Sequence, residues 1–254
     1  MMQPWHGQQL RRAEDFDSAH RIASEAINRL QLVLSINRQA AAKPVALVIE
    51  QRQPDESSLS RVYPFDTRYA GNLAGGFIAG ESPEQLDAEF RGMQGNALAR
   101  LAATLFSEAL AEVNEDFAFF KYWACLEVLS EELGSDGDVN IIDGSPWPEK
   151  VGPLDPGPRV YAMIASILSS KNVHEPSFSA PGTDLYDLVQ TLKARRNATA
   201  HYGGFDAGSQ AQQSRSWYPH ALKSSTDTFQ WLLTARSTCV TVLRFALSSK
   251  PEGR

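Results

Sequence analysis

Cysteine is scarce in this chain. The two that occur, Cys125 and Cys239, sit in apolar stretches that read as helix, and neither has a neighbour at metal-ligand spacing. Two thiols in 254 residues make no disulfide framework, so the pattern predicts buried free thiols in a reducing compartment. An excess of positive charge is also lacking: 24 Lys and Arg stand against 30 Asp and Glu, a formal net charge of -6. No global field draws such a chain onto nucleic acid, and any chemistry there must rest on a local basic patch. No apolar run approaches the roughly 20 residues that a membrane-spanning helix needs. The opening Met1-Met2-Gln3-Pro4-Trp5-His6 has no apolar core of the kind a secretory signal carries. The expectation is a cytoplasmic protein without a membrane segment. Hydrophobic residues at 43% and charged residues at 21% are globular usage and exclude a disordered chain.

What is present is mostly helical periodicity. Phe16, Ala19, Ala23, Ile27, Leu30 and Leu34 recur at three- and four-residue steps, which predicts a long helix from about Arg12 to Arg38. Pro44 ends that pattern, and Val45-Ala46-Leu47-Val48-Ile49 reads as a short buried strand. Residues 51 to 80 read as irregular. Gly71, Gly75, Gly76 and Gly80 lead into no Gly-Lys-Ser/Thr ending, so they predict a flexible turn and no phosphate loop. Ser82-Pro83-Glu84-Gln85 has the form of a capping box opening a second helix, continued on one face by Leu98, Leu101, Leu105 and Ala109.

A third helix, Asp116 to Leu133, carries Phe117, Phe120, Trp123, Leu126 and Leu129, with Cys125 and Val128 on other sides. It should be central and buried. Residues 134 to 158, rich in Gly, Pro and Asp, read as a surface insertion. Within it Asp136-Gly137-Asp138-Val139-Asn140 begins like a calcium loop. Ile141 then stands where glycine is needed and Trp147 where a bidentate glutamate belongs, so no metal is expected. Helices follow at Arg159 to Ser170, Thr183 to His201 and Thr226 to Leu247. The fold class is mainly α, with a small N-terminal α/β element. Residues 1–80 hold a helix, a short strand and an irregular segment, and 81–254 hold a helical domain.

The chemistry-bearing stretch is Lys193-Ala194-Arg195-Arg196-Asn197-Ala198-Thr199-Ala200-His201-Tyr202-Gly203-Gly204. At about 100° per residue, Lys193, Arg196, Asn197, Ala200 and His201 share an arc of roughly 140°. Gly203-Gly204 supplies a helix stop, which leaves His201 at the negative end of the dipole. A guanidinium, an amide and an imidazole together suit a phosphodiester. Histidine moves protons near neutral pH. Arginine grips phosphate and stabilises the charge that develops during attack, and asparagine orients the ring or the substrate. RNA would bring its own 2'-hydroxyl as nucleophile. Glu127, inside an otherwise apolar helix, either pairs with Arg196 or Arg195 or turns outward into solvent. The remaining histidines, His6, His20, His174 and His220, have no ligand spacing.

Arg-Asn-x-x-x-His at a helix end resembles the hallmark of HEPN domains, helical bundles found in many ribonucleases of toxin–antitoxin, CRISPR and other defence systems. Phe119-Phe120-Lys121-Tyr122-Trp123-Ala124-Cys125-Leu126-Glu127 is similar to the upstream helix of the abortive-infection-like HEPN branch. The resemblance covers roughly Glu84 to Leu247. It implies a HEPN-like bundle acting as a metal-independent endoribonuclease without a cofactor, with Arg196, Asn197 and His201 as catalytic residues. Glu127, Arg195, Lys193 and Tyr202 would support them. In the family the motifs of two subunits usually meet across a dimer interface, so a homodimer is implied, with RNA as substrate and a regulatory protein as a further partner. One HEPN toxin group has a modified tyrosine two residues after the histidine. Tyr202 follows His201 directly and departs from that spacing, so it reads as a packing or capping residue. Two other readings stand beside the nuclease: a non-catalytic HEPN scaffold or partner-binding module, and a metabolic accessory protein of the same kind.

Overall fold

The computed structural model describes residues 15–52, 57–65, 83–133, 156–170, 185–204 and 225–248. They form seven helices and two strands: α1 (Phe16–Arg38), β1 (Ala46–Arg52), β2 (Ser58–Pro64), α2 (Pro83–Gly95), α3 (Ala97–Ala111), α4 (Glu115–Leu133), α5 (Pro156–Ser170), α6 (Leu185–Tyr202) and α7 (Ser225–Ser248). The class is mainly α with a small antiparallel sheet near the N-terminus. No described helix is long and apolar enough to cross a membrane. The glycines at 71–80, the capping serine at 82, the insertion up to residue 155 with its Asp136–Asn140 run, and Pro181–Asp184 lie outside the described residues.

The chain divides into two compact units, Met1–Gln31 with Lys43–Tyr69, and Leu32–Ala42 with Ala70–Arg254. In the first, Asp15 caps α1 by accepting the Ser18 N–H at 2.7 Å, which satisfies an amide the helix cannot. The strand expected at Val45–Ile49 is β1, but it is not buried: Val45 and Val48 are exposed, because its partner in the two-stranded sheet, β2, from the segment read as irregular, leaves one face uncovered. They pair from Ala46 opposite Pro64 to Arg52 opposite Ser58. Alternation explains how β2 escapes a hydrophobicity scan: Leu59, Arg61 and Tyr63 share one face, Ser60 and Val62 the other. The Tyr63 ring lies 4.2 Å from that of His20, and the Arg61 guanidinium sits 4.5 Å from the Phe16 ring centre. The opposite face, with the cross-strand pair Val48 and Val62, is exposed.

The second unit is built around α4, which packs against α3, α5, α6 and α7. Phe106, Trp123, Leu126, Leu129, Met163, Leu192 and Leu243 are its buried centre. Cys125 and Cys239 are fully buried there as free thiols. The Cys239 Sγ donates to the Tyr122 carbonyl at 3.2 Å, and burial pushes this thiol's pKa up.

Several expectations about the helices need correction. The stripe drawn on α1 fails at Leu30, which is exposed. Val33 and Ile36, in the part of the helix that belongs to the second unit, are buried instead. The single helix read through residues 83 to 109 is two. Asn96 leaves the helical path with φ -113° and caps α3 by accepting the Ala99 N–H at 2.7 Å. On α3 the buried face is Ala99, Ala102, Ala103 and Phe106, while Leu101 points outward. Small residues let α3 approach α4 closely, so leucine spacing misleads there. On α4 itself, Phe117 is exposed.

Candidate functional site

Helix α6 runs antiparallel to α4. Arg196 lies opposite Glu127, and eight residues on Gly204 lies against Asp116, whose carboxylate oxygen would be 3.1 Å from a Cβ at that glycine. Gly203 ends the helix in the left-handed region at φ 78°, its N–H donating to the Thr199 carbonyl at 2.9 Å. Glycine takes that conformation without steric cost. His201 therefore sits in the last turn and is exposed.

The structure brings Arg196, Asn197 and Glu127 together. Arg196 Nη1 donates to Asn197 Oδ1 at 2.9 Å. Arg196 Nη2 donates to both Glu127 carboxylate oxygens, at 3.1 and 3.3 Å. The guanidinium also stands 5.9 Å from the Phe120 ring centre, within cation–π reach. Of the two alternatives for Glu127, pairing with Arg196 is the one observed. Asn197 therefore orients the guanidinium. Phe120 is the neighbour that spacing along one helix does not reveal, because the contact crosses from α6 to α4.

Arg195 behaves differently from its neighbour. It is 2% exposed and lies over Phe119 at 5.2 Å, so it belongs to the α4–α6 packing. Lys193 is half-buried on the helix. Tyr202 closes α6, and its side chain lies outside the described residues. Among the described residues, no group of three or more His, Cys, Asp or Glu side chains is placed to hold a metal.

Chemically, the arrangement is a cation held in one orientation, with an exposed imidazole five residues further along the same helix. A guanidinium carries two N–H groups on each η nitrogen. Asn197 uses one on Nη1, which leaves another for an anionic oxygen. No family model, no curated protein and no solved structure matches the chain.

Proposed function

We propose that this is a HEPN-type protein that cleaves RNA at the end of α6, with no metal taking part. The observation that carries the reading is the orientation of Arg196 by Glu127 and Asn197, five residues before the exposed His201 of the same helix. The Arg-Asn-x-x-x-His spacing supports it independently.

In the proposed reaction the 2'-hydroxyl oxygen attacks the adjacent phosphorus. The P–O5' bond breaks, leaving a 2',3'-cyclic phosphate and a free 5'-hydroxyl. One imidazole takes the 2'-hydroxyl proton and another delivers a proton to O5'. A homodimer supplies both, His201 and the partner's His201, while Arg196 stabilises the charge building on the non-bridging oxygens. A defence or toxin–antitoxin setting and a protein regulator belong to the same proposal.

The test is incubation of the purified protein with mixed single-stranded RNA in EDTA, beside His201→Ala. His201 is exposed, and circular dichroism of the variant checks that its removal leaves folding intact. Cleavage to cyclic-phosphate ends by the wild type alone supports the nuclease. Cleavage by neither protein, with both folded, favours the second reading, a non-catalytic scaffold or partner-binding module. The observation on that side is the Glu127–Arg196 ion pair itself, which ties two helices together, along with a net charge of -6.

A further inference from the structure

We propose that the second unit binds a small zwitterion of the α-amino-acid class. Its site is the cavity where the ends of α1 and α3, the first turns of α4 and the middle of α7 meet. The cavity measures about 230 Å³, below the roughly 300–1,000 Å³ that drug-sized ligands occupy. Its occupant is correspondingly small.

Three groups lining it lack protein partners, and their charges differ. Tyr122 is 3% exposed, yet its hydroxyl has no hydrogen-bond partner among the described residues. Burial holds its pKa well above the ordinary phenol value, so the group stays a neutral donor. Arg236 is fixed through Nε, which donates to Gln39 Oε1 at 2.9 Å. Its two terminal amino groups have no partner among the described residues. Glu115, exposed at the start of α4 on the rim of the cavity, makes no ion pair or hydrogen bond among the described residues. The neighbouring Glu112 is already matched, 2.9 Å from Lys121.

Gln39, the residue after α1, closes that helix in the left-handed conformation at φ 49°. Here it places the amide oxygen on Arg236. A fixed guanidinium and a hydroxyl donor together suit a carboxylate, and the carboxylate of Glu115 suits an ammonium. A simple anion would leave Glu115 repelling it, and a simple amine would leave Arg236 unanswered. A ligand carrying both charges satisfies the three groups at once. Alanines 40, 41, 109 and 118 form walls that leave room for a short side chain. The inference is independent of any action on RNA.

The experiment is calorimetric titration of the full-length protein with each common L-amino acid, and with the N-acetyl and amide forms of any that binds. At least one zwitterion is expected to saturate with Kd below about 1 mM, with either blocked form at least about tenfold weaker. Glu115→Gln and Tyr122→Phe should each weaken binding by about tenfold without altering the circular dichroism spectrum. No saturable heat from any zwitterion up to about 10 mM overturns the proposal. So does equal binding of the N-acetyl form, or binding that both variants leave unchanged.

Discussion

Arg196 and Glu127, on different helices, meet through one guanidinium nitrogen and both carboxylate oxygens, at 3.1 and 3.3 Å. Their side chains are 29% and 21% exposed, between the solvent-facing pairs that contribute little and the buried pairs whose breakage is severe. A double-mutant cycle with Glu127→Gln and Arg196→Met, read by urea denaturation, should give a coupling of about 1 kcal/mol. Additive effects would mean that the pair forms no stabilising contact in solution.

Gly92 and Gly95 both lie on α2 and should respond to alanine in opposite directions. A Cβ at Gly92 would run into the Leu247 carbonyl oxygen, while nothing lies within 4 Å of one at Gly95. Helix propensity alone favours alanine at either position by up to about 1 kcal/mol. At Gly92 the clash is with backbone, which cannot swing aside, so Gly92→Ala should destabilise by about 1–3 kcal/mol. Gly95→Ala should be neutral or stabilising. Thermal unfolding of the two variants side by side measures the difference.

Much of this was readable from periodicity. The helices holding Trp123 and His201 follow from apolar spacing and from the Gly203-Gly204 stop, and β1 from its β-branched run. What escaped reading depends on contacts distant in sequence. The sequence leaves Glu127 two equal readings, and only the packing of α6 against α4 decides between them. Arg195 and Arg196 are neighbours of the same type, yet only packing decides that one is buried on Phe119 and the other held by Glu127. The break at Asn96 was missed because leucine spacing runs straight across it. Tyr122, Arg236 and Gln39 carry no local motif, since their cavity is assembled from four helices.

Glu112 gives the acid limb of the stability curve. Its bond from Lys121, together with the backbone N–H of Asn114, holds its carboxyl below the usual carboxylate range. A depressed folded-state pKa contributes stability that is complete above the unfolded value, about 4.3, and lost as pH falls through the folded value. Glu112→Gln keeps an amide oxygen for the Val113 and Asn114 N–H groups but removes the charge. The side chain is 25% exposed, so solvent screening limits the pair to under about 1 kcal/mol. The variant should be slightly less stable than wild type at neutral pH, and the difference should close only as pH falls below the unfolded value and through the lowered folded one. Parallel curves across that range would show that the ion pair contributes nothing.

Arg196→Lys separates what this residue does for the fold from what it does for a reaction. Lysine keeps the charge but presents one ammonium in place of a planar fork. It can reach Glu127 or Asn197, but it cannot hold the orientation that both together impose on Arg196. If Arg196 serves only the α4–α6 contact, the retained charge should limit the loss of stability to about 1 kcal/mol, and no reaction rate is there to change. If it stabilises charge on a phosphate, the cleavage rate should fall by about 10²–10³, the effect of losing one fixed donor at a transition state. The substrate KM should change far less, because the lost interaction belongs to the transition state. Measuring urea stability and single-turnover cleavage on the same preparation decides between these roles. A stable variant cleaving at the wild-type rate would remove Arg196 from the proposed chemistry and leave His201 without its anion-binding partner.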